Sequence, residues 1–328
     1  MKIKASFILT VAALALSGSA LAEVKIALVA KSLGNGFFEA ANVGAQQAAK
    51  ELGDVKVIYT GPTTTTAEAQ IDVLNGLIAQ GVDAIAISAN DPDAVVPVLK
   101  KAMQRGIKVV SWDSGVAKAG RQIHLNPSNN ALIGETNVKL AADALKALNV
   151  EKGDVAVLSA TPTSTNQNTW IAEMKKVLPK YPSVNLVTVA YGDDLSDKSY
   201  REAVGLLKSY PDLKVIVSPS SVGIVAAAQA VKDQGKIGKV YVTGLGLPSE
   251  MAGAVKSGAS KSFAIWNPID LGYAATYLAD DLVKGTATKT EASMGKLGKV
   301  KLDADGSGAM SEPFVYDASN IDKFSKIF

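Results

Sequence analysis

Several stretches of this chain carry side chains suited to holding a small polar molecule, and each directly follows an apolar run of strand length. The first, Lys31-Ser32-Leu33-Gly34-Asn35-Gly36-Phe37-Phe38, offers an ammonium, an amide and two adjacent aromatic rings. Gly34 and Gly36 let the backbone approach a ligand closely. Asp113 adds a carboxylate after Val109-Trp112, and the polar run Thr161 to Trp170 adds the amides Asn166, Gln167 and Asn168. Hydroxyls and bare backbone follow in Ser218-Pro219-Ser220-Ser221 and Gly244-Leu245-Gly246, and Asn267 ends the set. Amides with one cation and one carboxylate suit a neutral polyol, whose hydroxyls both donate and accept. Phe37, Phe38, Trp170 or Trp266 could cover the apolar faces of such a ring. A phosphate would instead call for clustered Arg or Lys, and Arg121 and Arg201 do not lie at strand ends. Ser164, Thr165 and Ser221 are also plausible helix caps.

The elements that must position these groups alternate along the chain. Strand-like runs stand at Val24-Ala30, Val55-Tyr59, Ala84-Ser88, Val109-Trp112, Val155-Leu158, Leu186-Ala190, Val215-Val217, Val240-Thr243 and Phe263-Trp266. Helical spacing fills the gaps, as in Glu39-Leu52, Ala67-Ala79, Ala94-Arg105, Ile133-Leu148, Trp170-Leu178, Tyr200-Lys208 and Gly223-Asp233. Such alternation predicts an α/β fold of βαβ units with parallel sheets. The strands are too many for one compact sheet, so two similar Rossmann-like lobes are expected. Every candidate then sits at the carboxyl end of its strand, where open parallel sheets bind ligands.

Crossings between lobes are expected at Asn126-Pro127-Ser128-Asn129-Asn130, at Asn267-Pro268 and within Gly285 to Met310. This assigns 23–125 and 268–295 to an N-terminal lobe, and 126–267 and 296–328 to a C-terminal one. Several crossings around a cleft make a hinge that can close on a ligand.

The start of the chain predicts export. Lys2 and Lys4, the apolar run Ala5 to Leu16, and Ala20-Leu21-Ala22 have the order of a signal peptide over 1–22. Without Lys2 and Lys4 the formal charge falls from +3 to +1, so no nucleic-acid or other polyanion partner is implied. With no cysteine and one histidine, His124, thiol chemistry is excluded, and neither a metal nor a cofactor is expected. Asp303-Ala304-Asp305-Gly306-Ser307-Gly308 begins like a calcium loop but lacks its full ligand spacing. Asp193-Asp194, near Asp197, reads as acids complementing the dipole of the next helix rather than as a glycosidase pair. His124 reads as structural.

The signal peptide, the Lys31–Phe38 loop, Trp112-Asp113-Ser114, Thr163-Ser164-Thr165-Asn166-Gln167-Asn168 and Gly244-Leu245-Gly246-Leu247-Pro248 together resemble periplasmic sugar-binding proteins of ABC importers. The likeness runs over the whole mature chain and is strongest to rhamnose-binding proteins. It implies the two-lobed periplasmic binding protein type I fold with a three-segment hinge and no enzymatic activity. It also implies a monomer in the periplasm that docks on membrane permease subunits. The ligand residues it implies are Lys31, Asp113, Asn166, Gln167, Pro219 and Ser221, with Phe37 and Phe38 sandwiching the ring; Asn35, Gly246 and Asn267 join the expected set from their places in the strand-end loops. The related autoinducer-2-binding proteins carry Lys, Asp, Asp-Gln and Pro-x-Ala. Here the matching positions are Lys31, Asp113, Asn166-Gln167 and Pro219-Ser220-Ser221. Asn166 and Ser221 depart from that pattern, which favours L-rhamnose over autoinducer-2 as the expected ligand.

Overall fold

Residues 23–328 are described by a computed structural model; the expected signal peptide lies outside the described residues. The first half alternates β1 (Val24–Val29), α1 (Gly36–Leu52), β2 (Val55–Thr60), α2 (Ala67–Gln80), β3 (Ala84–Ile87), α3 (Val96–Gln104), β4 (Lys108–Trp112) and β5 (Ile123–Ser128). The same rhythm continues through α4 (Asn130–Ala147), β6 (Gly153–Ser159), α5 (Thr165–Val177), β7 (Val184–Tyr191), α6 (Ser196–Ser209) and β8 (Leu213–Ser218). It then runs through α7 (Ser221–Asp233), β9 (Tyr241–Gly244), α8 (Pro248–Ser257) and β10 (Ser262–Ile265). The chain ends with α9 (Pro268–Lys284), β11 (Glu291–Ser293), β12 (Lys299–Lys301), β13 (Ser307–Ser311), β14 (Phe314–Asp317) and α10 (Ile321–Phe324).

Two parallel sheets result. The first has six strands in the order β13-β5-β4-β3-β1-β2, and the second four in the order β7-β6-β8-β9. A single parallel bridge, Leu245 to Ala264, brings β10 alongside β9, and β14 pairs antiparallel with β10. Strands covered on both faces must be apolar throughout, and Ile26, Ala27, Leu28 and Val29 are all fully buried. Helix ends follow from local chemistry. Thr66 caps α2 by accepting from the Ala69 amide, and Gly81 ends it in left-handed backbone.

The strand pairing moves two of the expected lobe boundaries. β5 pairs with β4 as far as Leu125 and runs on through Asn126-Pro127-Ser128 in register with β13, so the first crossing falls at Asn129, late in the expected stretch. The second lies at Asn267, between β10 in one lobe and α9, which packs along α1 in the other. The third is not within 285–310. β13 lies parallel to β5, with Gly308 opposite Leu125, so the chain stays on the first lobe until Ser311. It returns to the second between β13 and β14, at Glu312-Pro313. Residues 296–311 therefore belong to the first lobe. The run Ser307–Ser311 holds no β-branched residue, so the pairing rests on a partner some 180 positions away and not on local propensity.

Candidate functional site

The carboxyl ends of β1, β4, β6 and β8 face one another across the cleft, and the groups they carry meet there. Lys31, just beyond β1, is 3% exposed. Its Nζ donates across the cleft to Ser164 Oγ at 3.3 Å and to Asn166 Oδ1 at 3.2 Å. Asp113, just beyond β4, has a left-handed backbone, φ 56°. Its Oδ2 accepts from Ser88 Oγ at 2.8 Å, and its Oδ1 accepts from Asn166 Nδ2 at 3.0 Å. Asn166 thus bridges the cation and the anion of the first lobe from the first turn of α5 on the second. Burial pushes the Asp113 carboxyl above its usual range, against the pull of Lys31 and the hydrogen bonds from Ser88 and Asn166; Asp194 pushes it further up.

Asn166 and Gln167 lie on a helix and not in the long polar loop expected from sequence, because Ser164 starts α5 early. Gln167 Oε1 accepts from Ser159 Oγ at 2.8 Å and from the Ala160 amide at 2.7 Å, which fixes the side chain by its carbonyl and leaves its NH₂ for the cavity. Asn35 Oδ1 caps α1 by accepting from the Phe37 amide at 3.0 Å, so its NH₂ is likewise the free half. Pro219 lies in the turn between β8 and α7, and Ser221 is the first residue of α7, which Ser220 and not Ser221 caps.

Nine of the expected residues line one cavity: Lys31, Asn35, Phe37, Phe38, Asp113, Asn166, Gln167, Pro219 and Ser221. Two expected residues do not line it. Gly246 lies against Ile224 and Met251, where a Cβ would stand 2.9 Å from each, so it serves close packing. Asn267 caps α9, its Oδ1 accepting from the Ile269 amide and its Nδ2 donating to Asp270. The wall there is Leu245, Ile265 and Trp266 instead.

The aromatic arrangement also differs from expectation. Phe37 and Phe38 are perpendicular, with centroids 5.4 Å apart and planes at 88°, and form a corner rather than two plates of a sandwich. Phe38 meets the edge of Trp112, Phe37 that of Trp266, and Trp266 in turn that of Trp170. Such edge-to-face contacts hold the rings in place. Both Phe side chains are buried, as core residues would be, while still facing the ligand space.

Asp194 and Ser220 are cavity residues that the sequence reading did not select. The available signal was the polarity of the segment following β7, but Asp194 reads equally well as a helix-dipole acid. His124 is buried away from the cavity, between Ser111 and Asn126. Among the described residues no cluster of three metal-ligating side chains occurs, and no helix is long and apolar enough to cross a membrane.

Further polar contacts join the lobes around the cavity. Thr65 Oγ1 donates to the Asp193 carbonyl at 2.8 Å, Thr163 Oγ1 to that of Asn90 at 3.0 Å, and Thr165 Oγ1 to that of Gly115 at 2.9 Å. Two parallel-sheet lobes, crossed three times by the chain and shut over a polar cavity with an aromatic wall, define a hinged ligand-binding protein. The chain belongs to the periplasmic binding protein domain family, whose model matches residues 26–287.

Its fold is similar to an ABC transporter solute-binding protein from Clostridium phytofermentas with bound L-rhamnose. That match has a TM-score of 0.85 and 38% identity, over 93% of this chain and 99% of that one. It is also similar to LsrB from Clostridium saccharobutylicum in complex with AI-2, at a TM-score of 0.87 and 25% identity over 92% and 99% of the two chains. The D-ribose/D-allose-binding protein of Pseudomonas aeruginosa is 31% identical over 232 residues, 67% of this chain and 70% of that protein. In keeping with these relatives the chain is a substrate-binding protein and not an enzyme.

Proposed function

We propose that this protein is the periplasmic sugar-binding component of an ABC importer, and that it closes on a neutral deoxysugar, L-rhamnose. The observation that carries the reading is the Lys31–Asn166–Asp113 bridge between lobes, in which each group is buried and aimed into the ligand cavity. A ring with several hydroxyls can enter that network by donating to Asp113 and accepting from Lys31, Asn35 and Gln167. The corner of Phe37 and Phe38 offers an apolar surface to the ring and its methyl group. Supporting the choice of sugar are the 38% identity to the L-rhamnose-bound protein and the Asn at position 166. Residues 1–22 would direct export to the periplasm, and the closed monomer would dock on the membrane permease subunits.

A second reading is autoinducer-2 in the same cavity, favoured by the fold similarity to the AI-2 complex. Calorimetric titration with L-rhamnose, D-ribose, D-allose and autoinducer-2 ranks them directly. Binding of L-rhamnose with recovery of unaltered sugar is the expected result. Absence of heat and of thermal stabilisation by L-rhamnose would exclude that sugar, since a ligand of the folded state must raise its stability.

A further inference from the structure

We propose that Asp194 is the second carboxylate of the ligand site, contributed by the second lobe, and that it sets a preference for neutral over anionic sugars. The inference rests on the sugar-binding reading above and deepens it.

Asp193 and Asp194 both adopt left-handed backbone, φ 56° and 53°, a conformation Asp tolerates better than most residues. The two carboxylates part at this turn. Asp193 pairs with Lys198 Nζ at 2.5 Å. Asp194 turns toward the cavity, where its Oδ1 accepts from Ser220 Oγ at 2.5 Å. The Ser220 oxygen also accepts from the Gly223 amide at 2.9 Å, so its proton is directed to Asp194 and the carboxylate is held at a fixed place. Helix dipole complementation does not account for this geometry. The cap position of α6 is Leu195, with no side-chain cap bond, and Asp194 reaches away from that helix to the turn before α7. Among the described residues Ser220 is the only hydrogen-bond partner of the Asp194 side chain, which leaves an oxygen for a ligand hydroxyl.

The charged side chains lining the cavity are then Lys31, Asp113 and Asp194, one cation against two anions, a net of −1 when both carboxylates are ionised. A sugar hydroxyl can donate to each carboxylate. A sugar acid or sugar phosphate would bring a third anion into the closed space, where charges are weakly screened. This is discrimination by a repulsive element as well as an attractive one.

The test is Asp194→Asn, which keeps the shape and the tolerance for left-handed backbone. Wild type and variant are titrated with whichever of L-rhamnose, D-ribose and D-allose the wild type binds most tightly, and with D-glucuronate. The variant is expected to bind the neutral sugar at least tenfold more weakly, with an unchanged ligand-free melting temperature. The ratio of neutral to anionic affinity should narrow at least tenfold, which a merely structural loss would not do. Should the variant fold poorly, Ser220→Ala is expected to give a smaller loss, recovered in Ser220→Thr. An Asp194→Asn protein with wild-type affinity and an unchanged ratio overturns the proposal and leaves the sugar-binding reading standing. A wild-type protein that binds none of these sugars overturns both.

Discussion

Asn166 Nδ2 lies 3.0 Å from Asp113 Oδ1, a hydrogen bond that spans the two lobes at the bottom of the cleft. Because Asn166 Oδ1 accepts from Lys31, the amide can take only one orientation, with its donor toward the carboxylate. The bond links closure of the hinge to the protonation and occupancy of Asp113.

Replacing Asp113 is expected to uncouple binding from folding. A buried carboxylate accepting sugar hydroxyls contributes about 1.5–3 kcal/mol per bond. Loss of two such bonds corresponds to roughly a hundredfold weaker binding or more, at about 1.4 kcal/mol per decade. Asp113→Asn is the cleaner variant, since an Ala at φ 56° adds backbone strain of about 1 kcal/mol or more. Calorimetry should show the affinity loss, and circular dichroism an unchanged fold.

Sugar binding should strengthen as pH rises through the range in which Asp113 ionises. Burial raises its folded pKa, so on closure the charged form is disfavoured and stability from this group falls with rising pH. Sugar hydroxyls favour the charged form, so the bound carboxyl has the lower pKa and binding releases a proton in the range between the free and bound values. Titration in buffers of differing ionisation enthalpy measures that release. A profile that stays flat from the ordinary carboxylate range upward would place Asp113 outside the ligand contacts.

The double change Asn166→Asp with Ser221→Ala should lower L-rhamnose affinity and raise that for autoinducer-2. A second carboxylate at 166 would face Asp113 at hydrogen-bond distance, and two such acids cannot both ionise. One donor of the cavity is lost and a proton is taken up. A buried group left unpaired costs about 1–3 kcal/mol, so the rhamnose loss should be about tenfold or more. Competition between the two ligands on both proteins reads the change.

His124 should make the protein sensitive to acid well away from the ligand. Burial and the nearby Arg121 depress its pKa from 6.5 to about 4, against the hydrogen bonds its ring can donate to the Asn126 side-chain oxygen and the Ser111 carbonyl and the charge of Asp305. The unfolded chain gains a proton below about pH 6.5 that the folded chain refuses until about pH 4. Stability is thus complete above that window and declines by about 3 kcal/mol as pH falls through it. In urea titrations His124→Gln should show a flatter profile between those limits.

Two glycines should respond in opposite ways to alanine. A Cβ on Gly44 would land on the Ile269 carbonyl, where α1 and α9 pack closely, so Gly44→Ala should cost about 1–3 kcal/mol. Gly76 is exposed within α2 and a Cβ there meets nothing within 4 Å, so Gly76→Ala should add about 0.4–1 kcal/mol. Thermal melts of the two variants check the pair.

The sequence alone determined the alternation of elements and the placement of Lys31, Asp113 and Pro219 at strand ends. Hydrophobic periodicity and the rule that parallel sheets bind at their carboxyl edge are local and topological facts, legible in one chain. Asn166 and Gln167 were equally visible as amides, though not as residues of a helix. Other features depended on contacts distant in sequence, which no local pattern records. β13 joins the first lobe through β5, some 180 residues earlier, which moved the third crossing past Ser311. Asn267 and Gly246 stood at strand ends like the true lining residues, but helix capping and close packing had already claimed them. Asp194 looked like a helix acid until the turn before α7 brought Ser220 to its carboxylate. Residue type and spacing specify what a side chain can do; only the tertiary packing decides which polar group uses that capacity for the fold and which keeps it for a ligand.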